Sequence, residues 1–310
     1  MRSLEAGPAS SMIPARPTMA NRFRRRFVNA GTGGKYPPLL AAVLLLPLVL
    51  LLFFGFLYPV GRMLVGSLFN PNFTLDNYVR LFTEPLYLTV LLRTLWIALA
   101  TTVGAFLLGY PVAYGMARAG NKLAFWIAAC VLIPLWTSVL VRSYAWIILF
   151  QRKGIINNLL IETGILEQPL RLIHTQGAVI IAMTHVLMPF MILPIYSALR
   201  TIPKELPQAA ANLGAGAQTT FLKVILPLSL PGVFAGTLMT FILALGFYVT
   251  PALVGGPQTL MMATLIGQQT TEMLDWPFAG ALATVLLAVT LILTFMFRRF
   301  LSANGKFGNV

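Results

Sequence analysis

Six apolar segments, each long enough to cross a bilayer, leave this chain almost no soluble fold to adopt. A helix needs about 20 apolar residues to span the hydrocarbon. The segments cover residues 39–60, 86–117, 123–150, 176–199, 231–254 and 278–300. Only 10% of residues are charged, where a soluble domain of this size carries about 25%. The expectation is an all-α membrane protein of six transmembrane helices, occupying residues 36–310 behind a basic tail at 1–35.

The net charge of +14 raises the question of nucleic acid, and the placement of the cations answers it. Arg2, Arg16, Arg22, Arg24, Arg25, Arg26 and Lys35 all precede the first span. A basic tail in that position sets topology or touches anionic lipid, and no aromatic-interleaved basic surface follows it. The tail reads as disordered. The first apolar segment is too long for a cleaved signal, and no small-residue cleavage site follows it. With the N-terminus inside, cytoplasmic segments hold 15 Lys/Arg and outer segments 5. That bias puts both termini in the cytoplasm of a multi-pass protein.

Several function classes lack their chemistry here. There is no Gly-x-x-x-x-Gly-Lys-Ser/Thr loop to cradle a nucleotide. All eight carboxylates fall outside the six segments, whereas ion-coupled secondary carriers keep ionisable groups at mid-membrane. The two histidines, His174 and His185, form no His-Glu-x-x-His motif, and His174 reads as a surface residue that meets water. Cys130 has no internal disulfide partner, and no metal site is expected. Prolines at 47, 111, 134, 189, 194 and 251 punctuate the spans, either as hinges or as the ordinary proline content of membrane helices.

One polar stretch between the fourth and fifth spans stands apart. Pro207 suits the first turn of a short helix. Gln208 to Leu213 supplies good helix formers, and Gly214 is a natural stop. A second short helix is expected from Gln218 to Val224, ended by Leu226-Pro227. Spacing alone leaves open a docking element or a surface amphipathic helix.

Gln208-Ala209-Ala210, then Gly214, then Val224-x-Leu226-Pro227, resembles the "EAA" loop of permease subunits from bacterial binding-protein-dependent ABC importers. Two further stretches resemble the polyamine (spermidine/putrescine) type of these permeases. One runs Pro134-Leu-Trp136-Thr-Ser138-Val-Leu-Val-Arg142-Ser-Tyr144-Ala-Trp146. The other is Phe247-Tyr248-Val-Thr250-Pro251, followed by Asp275-Trp276-Pro277. The resemblance implies a cytoplasmic coupling helix between helices 4 and 5, with Glu205, Gln208, Ala209, Ala210, Asn212, Leu213 and Gly214 meeting the ATPase. Gln208 stands where the family pattern has glutamate, which removes a charge from that contact.

The resemblance also implies an inner-membrane location and an assembly of a sister permease in a mixed pair, two ATPase subunits and a periplasmic binding protein. No cofactor is expected in this chain, since ATP and Mg belong to the ATPases. The cargo would be spermidine, putrescine or a related cationic or zwitterionic solute. Alternatives are an opine, an aminoalkylphosphonate, an amino acid-like solute or ferric iron, and, outside the family, an ion-coupled carrier.

Candidate pathway residues come from the outer halves of the spans. Trp136, Tyr144, Tyr248 and Trp276 offer ring faces to ammonium groups. Glu272 and Asp275 give an outer loop a local negative balance. Arg142 lies about 12 Å below the outer end of the third span. At that depth an arginine should pair, line water or face the bundle. It either holds neighbouring carbonyls or meets an anionic group on the solute.

Overall fold

The structure, a computed structural model, describes residues 38–69 and 72–303. The predicted tail at 1–35 lies outside them. The chain divides into two compact units, Met1–Gly61 and Arg62–Val310. In the first, α1 (Pro38–Leu52) passes through a π-turn at Phe53–Leu57 into α2 (Tyr58–Gly66), which crosses the boundary at Gly61. Between Ala41 and Gly66 no residue of this span is buried.

The regular elements of the second unit are helices, joined by loops, among its described residues. A short amphipathic α3 (Asp76–Thr83) leads into α4 (Pro85–Arg118). Then follow α5 (Asn121–Trp136), α6 (Val139–Phe150), α7 (Ile155–Glu162) and α8 (Gln176–Thr201). Next come α9 (Glu205–Asn212), α10 (Ala217–Thr220), a π-turn (Phe221–Ile225) and α11 (Leu226–Leu245). The chain closes with α12 (Val249–Val254), α13 (Met262–Thr271) and α14 (Trp276–Ala303). Among the described residues five spans are long and apolar enough to cross a membrane, and a sixth exists if the bent pair of α5 with α6 and α7 counts as one.

The core lies along α8, the most buried of the spans, which packs between α4 and α11. Met191, Ile192 and Ile195 of α8 meet Tyr110 of α4 and Val233 of α11. Lipid tails give helices no hydrophobic reason to associate, so close backbone packing must do it. Gly232 and Gly236, four apart on α11, supply that closeness. A Cβ at Gly232 would stand 2.5 Å from the Pro194 carbonyl and from the Ala198 side chain. One at Gly236 would meet the Met191 carbonyl at 2.9 Å. The Tyr110 and Ser229 hydroxyls share a hydrogen bond of 2.9 Å, which satisfies both inside the bundle.

Two spans differ from the sequence expectation. The third, expected unbroken over 123–150, stops at Trp136 and resumes at Val139 with a bend of 100°. Pro134 lacks an amide proton, and the Thr137 hydroxyl and amide both donate to its carbonyl, at 2.8 and 3.2 Å. Side-chain capture of that carbonyl ends the helix where a proline alone would only kink it.

The fifth span, expected over 231–254, runs instead from Ala217 to Leu245. The second loop helix therefore does not end at Leu226-Pro227. The π-turn just before Pro227 shifts the hydrogen-bond register, so the missing donor and the ring are absorbed without a break. At the far end Gly246 interrupts the helix, and Pro251 cannot donate back across the gap. Val249–Val254 accordingly becomes a separate short helix.

Candidate functional site

The polar stretch forms a short helix flanked by two turns. α9 begins at Glu205, two residues before Pro207, whose position in the first turn needs no amide donor. The Glu205 carboxylate sits where the helix dipole favours negative charge. At the other end the Ala215 amide bonds the Ala210 carbonyl and the Gly214 amide bonds that of Ala211, at 3.0 and 2.9 Å. This is a Schellman closure, and Gly214 takes the left-handed conformation it needs, at φ +83°. Ala209 and Asn212 are exposed and Ala210 half-buried. Leu213, 89% exposed, is an apolar side chain with nothing over it in this chain. Gln208 borders a cleft shared with Arg118, Arg200 and Lys204. The expected residues thus present one small, apolar-tipped surface, and no ion pair reaches Glu205 among the described residues.

The broken spans supply the second constellation. α6 and α12 pack together, joined by a 3.0 Å bond between the buried Ser143 and Thr250 hydroxyls. Arg142 and Tyr144 flank Ser143, and Tyr248 precedes α12, so these three candidates come from one paired element. The Tyr248 ring packs on Gly267 of α13, where a Cβ would meet its edge at 2.6 Å. Trp146 stacks on Phe150 with centroids 5.0 Å apart and donates to Nδ1 of His185 at 3.4 Å. Tyr144 and Tyr248 remain about half exposed, and Trp136, at the break, is almost fully exposed.

Among the described residues Arg142 has no carbonyl to hold. Its Nε and one terminal nitrogen are buried without a hydrogen-bond partner. A buried guanidinium donor left unsatisfied carries a desolvation cost of about 1–3 kcal/mol or more, which an anion meeting it would offset. His174, expected at the surface, is exposed and also ties its loop to α12. Its Nδ1 bonds the Gly255 carbonyl and its amide bonds that of Val254.

Asp275 is spoken for within the chain. One oxygen caps α14 by accepting from the Phe278 amide at 3.2 Å, and the other pairs with Arg80 at 3.2 Å. Arg80 also reaches Glu84 at 3.5 Å and lies 4.2 Å above the Phe278 ring. Burial works against its charge, yet the Tyr87 hydroxyl and the two carboxylates hold the guanidinium above its ordinary pKa. Glu272 and Trp276 on the same corner are exposed. Asp275→Asn keeps the cap and loses a half-exposed ion pair, so a stability loss below about 1 kcal/mol is expected. Asp275→Ala also loses the cap, adding about 0.5–2 kcal/mol. Thermal unfolding of the two variants checks the difference.

A bundle that is built of helices in its described residues, with one span bent by 100° and a short helix held out between the long ones, has the architecture of an ABC importer permease. A subunit of a bacterial alginate ABC transporter, solved with its alginate-bound periplasmic protein, superposes with a TM-score of 0.71 at 16% identity, covering 86% of this chain and 95% of that one. Residues 105–304 match the family described as binding-protein-dependent transport system inner membrane component, and the chain belongs to it. It is therefore a membrane transport subunit and not an enzyme. Among its relatives is the spermidine/putrescine transport system permease protein PotB of Salmonella typhimurium strain SL1344, 36% identical over 77% of this chain and 83% of that protein. PotB of Escherichia coli K12 is 38% identical over 70% of this chain and 78% of its own length.

Proposed function

We propose that this chain is one permease of an ATP-driven polyamine importer, carrying spermidine or putrescine. The observation that carries this reading is the 36–38% identity, over at least 70% of the chain, to permeases named for that transport. Two cytoplasmic ATPases, a periplasmic binding protein and a sister permease, different in sequence, complete the machine. ATP and Mg act on the ATPases, and this chain needs no cofactor. The positive-inside bias of 15 against 5 supports cytoplasmic termini and a cytoplasmic α9. α9 is then the coupling helix, docking through Leu213, Ala209 and Ala210, with Glu205, Gln208 and Asn212 around them. Solute passes near Tyr144, Tyr248, Trp136 and Trp276, with Glu272 as the free carboxylate of the outer corner.

The unpartnered nitrogens of Arg142 favour a second reading, in which the solute carries an anionic group beside its amine. An opine, an aminoalkylphosphonate or an amino acid-like solute fits that description; ferric iron does not. Proteoliposomes holding the whole complex and its binding protein separate the readings. Labelled spermidine uptake driven by ATP, and suppressed only by polyamines, is the expected result. Suppression by the phosphonate or an amino acid reassigns the cargo. In that case Arg142→Gln should abolish recognition of the anionic solute, measured by the same competition.

A further inference from the structure

The end of the bundle that carries α9 encloses a cleft of about 520 Å³. Three cations border it, Arg118 from the last turn of α4, Arg200 from that of α8, and Lys204 at the entry to α9. Among the described residues no carboxylate does. α9 contributes Pro207 and Gln208 to this space, and both are neutral. The apolar side of the cleft is formed by residues such as Leu199 and Ile202. Both guanidiniums are held by aromatic rings. Arg118 lies 4.9 Å from the Tyr114 centroid, and Arg200 lies 5.9 Å from that of Tyr196 while donating to its hydroxyl at 3.2 Å. No ion pair reaches any of the three among the described residues.

Like charges converging on one enclosure disfavour each other unless an anion joins them. We propose that this cleft is a binding site for the phosphate headgroup of an anionic membrane lipid. Its polar rim and apolar flank match a headgroup with the glycerol and upper acyl chain behind it. It lies at the ends of α4 and α8, both of membrane-spanning length, where headgroups would stand. Basic pockets between membrane helices on the cytoplasmic side take such lipids. An acidic segment of a partner protein would match the cations but leave the apolar flank uncovered. The lipid would rest against Pro207 and Gln208, linking bilayer composition to the helix that carries the ATPase stroke. The binding site needs only the membrane location of the family, while the link to uptake rests on the coupling role proposed above.

The test uses the intact complex, purified from its membrane, with retained phosphatidylglycerol counted by native mass spectrometry. Arg118→Gln/Arg200→Gln should weaken retention about 30-fold, the effect of removing two surface cations. Asn121→Trp, which fills the cleft and removes no charge, should also expel the lipid. Arg298→Gln/Arg299→Gln, cations on α14 outside the cleft, should leave retention unchanged. Equal loss in the α14 variant would reduce the site to the general basic belt and overturn it. Displacement by free inorganic phosphate, or retention of lipid only when the ATPases are absent, would also overturn it. Uptake compared in vesicles with and without phosphatidylglycerol then reads the coupling link separately from the binding.

Discussion

Gly214→Val is expected to leave the chain inserted and the complex assembled, and to abolish ATP-dependent uptake. The effect does not come from crowding, because a Cβ at Gly214 meets nothing within 4 Å. It comes from the backbone, held at φ +83°. A β-branched residue forced into that region costs about 1–3 kcal/mol. α9 has only eight residues, and its closing hydrogen bonds run through this position. The cheaper outcome is to open the Schellman closure and rotate Leu213 away from its docking direction. Asn, which tolerates the left-handed region, should keep a substantial part of the uptake. Uptake by the Val variant at the parent rate would remove the coupling role from α9. Loss of the assembled complex would trace the defect to folding instead.

The second large effect is on stability. Gly232→Leu drives a side chain into the Pro194 carbonyl and Ala198, and neither can step aside within a packed helix pair. Overpacking a core costs about 1–3 kcal/mol in general, and contact with backbone places this case at the upper end. The variant should unfold at a clearly lower temperature in detergent and give a poor yield of complex. Gly115→Ala on α4, where a Cβ meets nothing within 4 Å, is the matched control and should unfold like the parent. An unchanged Tm for Gly232→Leu would mean that α8 and α11 do not approach as closely as described. The two glycine variants therefore separate by assay, one failing in transport and the other in unfolding.

Hydropathy located the spans because twenty apolar residues have few other uses, and α4, α8 and α14 end within a few residues of where composition places them. It could not see the bend at Thr137–Ser138, since a hydroxyl capturing a carbonyl leaves the apolar run unbroken. Prolines misled in one direction and glycine in the other. Pro227 reads as a stop in the sequence but is absorbed by a π-turn, while Gly246 sits inside a run that reads as one span. The α9 surface was legible because its residues are adjacent in sequence. The cleft beside it was not. Arg118 and Arg200 end two different long helices and Lys204 precedes α9, and by sequence they register only as topology signals.

The continuity of Ala217–Leu245 has a mechanical consequence. Twenty-nine residues of helix make a rod about 42 Å long, with its base one turn from Gly214 and its tip beside Phe247 and Tyr248. A tilt of only about 5° at the base would carry the tip sideways by about 4 Å, on the same helical dimensions. The π-turn at Phe221–Ile225 lies near the fulcrum, where a looser winding can absorb twist without bending the shaft. In the coupling role proposed for α9, a shift applied there would be geared up before it reached the aromatic residues at the far end.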